Sequence, residues 1–442
     1  MPFQQDFFGP PRRRTRVDGN RGGELRKARR VTTLVVAGLL SALLVVGCGG
    51  ASNGGGGSGG GESVKIVSDL PLQGANRAQT TTMVNAIKLA IQQRDGEVAG
   101  LQIDYESLDD ATAQAGQWDP AKCAENAQQA AQDEAVIGWI GPFNSGCAAT
   151  QIPTLNEAGL AMVSPANTYI GLTKPGGEPD EPDKYYPTGE RNYARVIVAD
   201  DKQGQAGAAL MQQEDVQSVY ILDDKETYGK GLADQFQKAA EEQGIEVLGR
   251  EGIDGSASNY RSLMNKVAQA EPDAVYFGGI IENNAAQLIK DKVGAGMPND
   301  EVLFVGPDGI FVDELLGQAG DAANGIYVTF GGLPESELSA EGQEFVETYE
   351  SKYDDQIQPY TAYAYEAANV MLDAIERAAE DAGGVPERQA VIEEVFATED
   401  FEGVLGTWSF DEDGDTSLTE LSVQTVDGGE FTLDRVVDVA DL

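Results

Sequence analysis

The stretch from Ala135 to Thr168, AVIGWIGPFNSGCAATQIPTLNEAGLAMVSPANT, decides the fold. It opens on the apolar run AVIGWI, which has the length of a strand rather than a helix. A turn follows at Gly141-Pro142. Cys147–Ala158 then reads as a helix, and LAMVS (Leu160–Ser164) reads as a second strand. Two continuous apolar strands around one helix make a parallel unit whose crossover helix covers a sheet face.

The same alternation runs outward in both directions. Upstream, VKIVSDL is a strand, Met83–Gln93 an apolar-periodic helix, LQIDYESL a strand and Asp119–Asp133 a helix. Downstream, the polar stretch Thr173–Arg191 holds four prolines and reads as a long loop. The strands VQSVYIL, IEVLGR, DAVYFGG, VLFVG and GIYVTF follow, with helices at Gly231–Gln243, Tyr260–Ala270, Asn284–Val293 and Val312–Leu316. Three later helices (Glu341–Tyr353, Thr361–Asp381, Glu387–Thr398) have no strands between them. The tail returns to β with TWSF, then LSVQTV and EFTLDRVV about the turn Asp427-Gly428-Gly429. One parallel sheet cannot hold so many strands, so the expected class is α/β in two Rossmann-like lobes with late crossovers. The expected boundaries are 63–197 and 331–405 for lobe 1, and 198–330 and 406–442 for lobe 2.

The amino terminus reads as an address. Basic residues through Arg30 precede an apolar run from Leu34 to Val46, which is thirteen residues. That is too short to span a bilayer as a helix and suits a signal-peptide core. The run ends in Val45-Val46-Gly47-Cys48, which resembles a bacterial lipobox with Cys48 as the acylated residue. Residues 1–47 are therefore expected to be a lipoprotein signal peptide. The Arg12-Arg13 and Arg29-Arg30 pairs lack the usual surroundings of a twin-arginine signal, so general secretion is expected. Residues 48–62 are Gly/Ser-rich and read as a flexible tether. The expected location is extracytoplasmic, on the outer face of the cell membrane.

Charge splits the same way. Residues 1–47 hold nine basic and three acidic residues, which leaves 22 basic and 70 acidic, a net of −48, from Cys48 onward. Such a body repels phosphate backbones and anionic lipid heads, so nucleic acid is excluded as a partner and the membrane is met only through the anchor. Solubility, or adaptation to high salt, accounts for the acidity.

The chain contains no histidine. That excludes Ser-His-Asp and Cys-His catalysis and any His-ligated zinc site. Gly229-Lys230 lacks the earlier glycine of a Walker A loop. Asp411, Asp413 and Asp415 invite a calcium reading, but Gly414 falls at the fourth place of the run instead of the sixth, so a structural turn is expected. No metal, cofactor or enzyme activity is expected. Cys123 and Cys147 both fall near helix starts, which share one edge of a parallel sheet. They are expected to pair in a disulfide worth about 3 kcal/mol, with two free thiols as the alternative.

With these segments in place, the chain resembles the type I periplasmic binding proteins of the leucine/isoleucine/valine-binding kind. The resemblance runs from about Val64 to Asp415. Its carriers are the opening stretch, then YILDDKETYGKGLADQF, DAVYFGG, FVGPDG and GVLGTWSFDEDGD, in the family's order and spacing. It implies two α/β lobes joined by three crossovers, with the ligand between them. It also implies an importer subunit: an amino acid, branched-chain by default, delivered to ABC permease and ATPase subunits on separate chains. A ligand-sensing module of a receptor system is the alternative, as is a binder of an amide or another amino-acid-like solute.

The resemblance assigns roles residue by residue. Ser145 falls where a strand ends and a helix begins, a site suited to an anion, and matches the family's carboxylate contact. Taken alone, Asn144 and Ser145 also read as helix caps. Ala166 matches a backbone-carbonyl contact, and Thr168 a contact through hydroxyl and N–H. The competing reading of Ser164–Thr168 is a Pro-initiated turn. Asp308 matches the family's acidic residue against the ligand ammonium, one methylene shorter than the usual Glu. Tyr228 matches a cleft tyrosine, and Tyr360 an aromatic of the side-chain pocket, with helix packing as its rival. One departure is Ile280, where the family often has a ligand-contacting Tyr; it makes that wall aliphatic.

Overall fold

The computed structural model describes residues 62–354 and 356–441. The predicted signal peptide, Cys48 and all of the tether but Glu62 lie outside the described residues. The first sheet uses β1 (Ser63–Leu70), β2 (Glu97–Val98), β3 (Leu101–Asp109), β4 (Val136–Ile140), β5 (Ala161–Ser164) and β6 (Tyr193–Arg195). Their order is β2-β3-β1-β4-β5-β6, parallel except for the β2–β3 pair. Between them run α1 (Arg77–Gln93), α2 (Pro120–Gln132) and α3 (Ser145–Glu157). Every residue of β4 and β5 is buried, which is why these strands read as unbroken apolar runs.

After β6 the chain passes to a second sheet through α4 (Asp200–Gln213). That sheet contains β7 (Ser218–Asp223), β8 (Glu246–Gly252), β9 (Ala274–Gly278), β10 (Leu303–Gly306) and β11 (Tyr327–Phe330). Its helices are α5 (Thr227–Glu242), α6 (Arg261–Gln269), α7 (Ala285–Gly294) and α8 (Asp313–Ala319). The chain then returns to the first lobe for α9 (Ala340–Tyr353), α10 (Thr361–Ala382) and α11 (Arg388–Phe396). A two-stranded hairpin, β12 (Phe401–Gly403) with β13 (Gly406–Trp408), follows. A third passage leads to β14 (Glu420–Asp427) and β15 (Glu430–Asp438), which add antiparallel to the second sheet in the order β15-β14-β11-β10-β9-β7-β8. The architecture is thus two mixed α/β lobes connected by three passages, and all described residues belong to one compact unit.

Three details differ from the sequence reading. The expected lobe boundary between residues 405 and 406 falls inside the β12–β13 hairpin. Residues 411–415 stay with lobe 1, because buried Arg195 on β6 holds Asp415 at 2.7 Å while Lys174 holds Asp411 at 2.8 Å and Asp415 at 2.9 Å. Lobe 2 resumes only at β14. The first helix begins at Arg77, six residues before the expected Met83. Its threonine run is satisfied locally: Thr80 Oγ1 donates to Pro71 O (2.6 Å), Thr81 Oγ1 to Arg77 O (2.7 Å) and Thr82 Oγ1 to Gln79 O (2.7 Å). Strands β2, β6 and β12 and helix α4 have no counterpart among the predicted elements.

Cys123 on α2 and Cys147 in the first turn of α3 form a disulfide, with S–S 2.01 Å and Cα atoms 5.6 Å apart. The bond pins the start of α3 to its neighbour. Asp411 Oδ1 accepts the N–H groups of Asp413 (3.0 Å) and Asp415 (2.9 Å). Asp413 pairs with Arg191 at 3.2 Å, so Arg191, Arg195 and Lys174 neutralise all three carboxylates of this run. The run is a tight turn locked onto lobe 1.

Candidate functional site

In open parallel sheets, ligand crevices form beyond the carboxyl ends of the strands. Of the residues predicted to bind, all but Tyr360 lie there. Ser145 follows β4, Ala166 and Thr168 follow β5, Tyr228 follows β7 and Asp308 follows β10.

The lobe 1 wall is two turns stitched together. Gly141 takes φ +122°, and a Cβ there would stand 2.7 Å from Asp69 O, so only glycine lets the chain leave β4 along this path. Ser164 Oγ donates to Pro142 O at 3.0 Å and accepts the N–H groups of Ala166 (3.2 Å) and Asn167 (3.0 Å). Asn167 Nδ2 donates to Phe143 O at 2.8 Å. Asn144 occupies the N-cap place of α3 but makes no capping bond, and its buried Oδ1 has no hydrogen-bond partner. Ser145 Oγ accepts the N–H of Tyr169 at 3.3 Å, across to the next turn. Capping therefore does not account for these two side chains.

Arg195, fully buried, fixes this wall from behind. Its Nη1 donates to Tyr169 O at 2.8 Å and Asn167 O at 3.3 Å, while Nε donates to Asp415. Burial pushes the Asp415 carboxyl up, but the charges and hydrogen bonds of Arg195 and Lys174 outweigh it and leave its pKa below the usual range.

The lobe 2 wall centres on Asp308. Its Oδ1 accepts from Tyr228 Oη and Gln203 Nε2, both at 2.6 Å, and its Oδ2 accepts from Tyr360 Oη. Tyr228 Oη also accepts the N–H of Gly309 at 3.2 Å. Tyr360 belongs to the lobe 1 segment that opens α10, so its bond to Asp308 crosses between the lobes. Its ring packs edge-on against Phe143 (centroids 5.3 Å apart) and Phe330 (5.1 Å), which ties Asp308 to the Asn144–Ser145 turn. Ile280 is buried and donates its N–H to Asp224 Oδ2 at 3.1 Å.

Sequence reading missed Asp200 and Gln203. Both side chains are fully buried, and three-residue spacing at the start of α4 puts them on one helix face. Asp200 N donates to Thr168 O at 2.8 Å, which sets it beside the Ser164–Thr168 turn. Both Asp200 oxygens, Thr168 Oγ1 and Gln203 Oε1 are buried without a hydrogen bond of normal geometry. Thr168 nevertheless stands near enough to draw the Asp200 pKa down slightly; burial, then the charge of Asp308, dominate and push it well above the usual carboxylate range. Burial likewise raises Asp308, against the pull of its three side-chain donors. Tyr228 and Tyr360 are pushed well above 10, by burial first and the Asp308 charge next, so both phenols stay protonated donors.

A surface cavity of about 760 Å³ lies elsewhere: Phe311, Leu333, Ile357 and Phe431 are among the residues that line it, and no member of the Asp200–Asp308 cluster does. Among the described residues, the one group with metal-ligating spacing is Asp110, Cys123 and Cys147. Its two sulfurs are bonded to each other and offer no thiolate.

Fold and wall chemistry together are those of a two-lobed α/β clamp for a small solute. Residues 63–430 match the periplasmic binding protein family, and the chain belongs to that family. It is 29% identical over 352 residues to Leu/Ile/Val-binding protein homolog 1 of Brucella abortus, covering 79% of this chain and 86% of that protein. It is 26% identical over 371 residues to the leucine-, isoleucine-, valine-, threonine- and alanine-binding protein of Pseudomonas aeruginosa, covering 82% and 89% respectively. The structure resembles that of a leucine-binding protein from Thermotoga maritima with a TM-score of 0.75 at 26% identity, covering 86% of this chain and 100% of that one. The protein is an extracytoplasmic solute-binding protein, of a family that holds its ligands without transforming them.

The buried acids predict how stability varies with pH. Asp69, Asp224 and Glu366 are each pushed up to about 7, chiefly by burial, and Asp200 and Asp308 are raised for the same reason. The folded state thus keeps protons that the unfolded chain gives up, and this stabilisation fades as pH rises through the folded pKa values. Asp415 works with the opposite sign, but only below its ordinary value of 3.8. Lys292, pushed down to about 7 by burial, opposes the trend only above that pH. The melting temperature of the unliganded protein is expected to rise from about pH 7.5 to about pH 5. A calorimetric scan series in which it falls over that range contradicts this account.

Proposed function

We propose that the protein captures an amino acid between its lobes, branched-chain by default, and delivers it to the permease of an ABC importer. The observation that carries this reading is the set of buried, unpartnered acceptors next to Asp308. Leaving a buried polar group unsatisfied costs about 1–3 kcal/mol, more when it is charged. An ammonium brings three donors and a positive charge, which answer the buried Asp200 and Thr168 Oγ1 together, with Asp308 behind them; the family resemblance adds the Ala166 carbonyl as a further acceptor. The ligand carboxylate lies against Ser145 and the N-terminus of α3, where the helix dipole favours an anion. The side chain meets Phe143, Tyr360 and the aliphatic Ile280. The relatives from Brucella and Pseudomonas, named for amino acids, support the ligand class.

Lobe 1 binds first in this scheme. Closure then adds Asp308 and Tyr228, and the ligand shifts the hinge by its extra affinity for the closed form. Cys48 is the acylated residue that tethers the mature chain to the outer face of the cell membrane.

Calorimetry against the common L-amino acids is expected to show one or a few binders at micromolar affinity or tighter, roughly −8 kcal/mol or better. Ser145→Ala, Asp200→Asn and Asp308→Asn are each expected to weaken that binding about tenfold or more, or about 1.4 kcal/mol. An absence of binding across the panel sinks the amino-acid reading. Cys48→Ser is expected to abolish incorporation of a labelled fatty acid and to release the protein from membranes; continued labelling of that variant removes the anchor assignment.

A further inference from the structure

Away from the ligand walls, two carboxylates of lobe 2 reach across to donors of lobe 1. Glu282, in the turn after β9, accepts the Asn76 backbone N–H at 3.0 Å (Oε1) and the Asn76 side-chain Nδ2 at 2.9 Å (Oε2). Glu226, just before α5, accepts Trp118 Nε1 at 3.0 Å (Oε2) and Gln117 Nε2 at 3.4 Å (Oε1). Asn283 joins the two: its Nδ2 donates to Glu226 Oε1 and to Asp224 Oδ2, both at 3.0 Å.

The placement of these residues is informative. Asn76 is the N-cap residue of α1, and Glu226 is the N-cap residue of α5. A cap side chain normally accepts from its own helix. Neither does so here; Asn76 donates across the cleft, and Glu226 accepts across it as well as from Asn283 of its own lobe. Asn76 is 2% exposed, so its amide is desolvated in the contact. The Trp118 ring lies over Gly146, one residue past Ser145, where an added Cβ would come within 2.5 Å of it. This contact therefore lies against the wall that holds Ser145.

We infer that Glu282 with Asn76, and Glu226 with Trp118 and Gln117, form a clasp that holds the lobes shut and sets the residence time of the ligand without touching it. The inference rests on the capture reading above for its ligand, but not for its geometry. Contacts made only in the closed state slow opening and leave encounter with the open lobe unchanged, so they act on dissociation.

The test is stopped-flow dissociation of whichever common L-amino acids bind the mature chain, for wild type, Glu282→Ala, Asn76→Ala, their double variant and Trp118→Phe. Trp118→Phe keeps a ring over Gly146 and removes only the indole N–H. Expected is an off-rate faster by about tenfold for Glu282→Ala, with the on-rate within about threefold of wild type. The double variant is expected to be no faster than Glu282→Ala alone, since Asn76→Ala removes only the side-chain one of the two bonds that Glu282 accepts. Trp118→Phe is expected to accelerate release as well. Unchanged off-rates, or fully additive effects of Glu282→Ala and Asn76→Ala, overturn the clasp while leaving capture intact. If no amino acid binds wild type, the capture reading fails by itself. The clasp is then judged by small-angle scattering of the unliganded chain: a larger radius of gyration for Glu282→Ala supports it, and an unchanged one overturns it.

Discussion

The structure depends on a carboxylate placed where water does not reach. Asp308 is 5% exposed and takes hydrogen bonds from Tyr228 and Gln203 of lobe 2 and from Tyr360 of lobe 1. Burying a charge is unfavourable unless donors surround it, and removing one partner of such a group is costly. Three donors from three distant points of the chain therefore have to arrive together. That requirement brings the Tyr360 segment of lobe 1 against Asp308 of lobe 2. Asp200 adds a second buried acid whose charge Asp308 disfavours, so the pair is poised to accept a cation.

The two walls are held by different physics. Lobe 1 relies on one buried arginine. Arg195 binds the carbonyls of Asn167 and Tyr169 on one side and Asp415 on the other, so the third passage between the lobes is anchored to the turn after β5. Lobe 2 relies on close backbone approach. A Cβ on Gly309 would stand 2.7 Å from Gly279 O and 2.9 Å from the Tyr228 ring, so only glycine lets Asp308 and Tyr228 meet. One wall is electrostatically pinned and the other sterically fitted, with opening expected in the passages that join them.

Much of the fold was legible in the sequence because β4, β5 and β9 are buried on both faces and read as unbroken apolar runs. The Cys123–Cys147 pairing followed from two helix starts at one sheet edge. Helix α4 was not legible: its buried residues begin with Asp200 and Gln203 and continue through glycines and alanines to Leu210 and Met211, which blurs the usual apolar-in pattern. Strand β6 is three residues long and includes a buried arginine, so hydropathy points the wrong way. The return to lobe 2 was placed too early because nothing local marks the Arg195–Asp415 pair, 220 residues apart. Ser145, Tyr228 and Asp308 were singled out in the sequence only through family resemblance. Their shared surroundings, and the Tyr360 bond to Asp308, became visible only when distant segments were brought together.

The central claim is that a buried acid pair, Asp200 with Asp308, receives the positive group of the ligand, with burial and the neighbouring Asp308 charge holding the Asp200 carboxyl well above the usual range. It is tested most directly by calorimetry of amino-acid binding at about pH 7 in buffers of different ionisation enthalpy, which counts protons exchanged on binding. The account predicts release of protons, because the arriving ammonium lowers the pKa of the pair, with the release reduced in Asp200→Asn. Tight binding with no proton exchange in any buffer would contradict it.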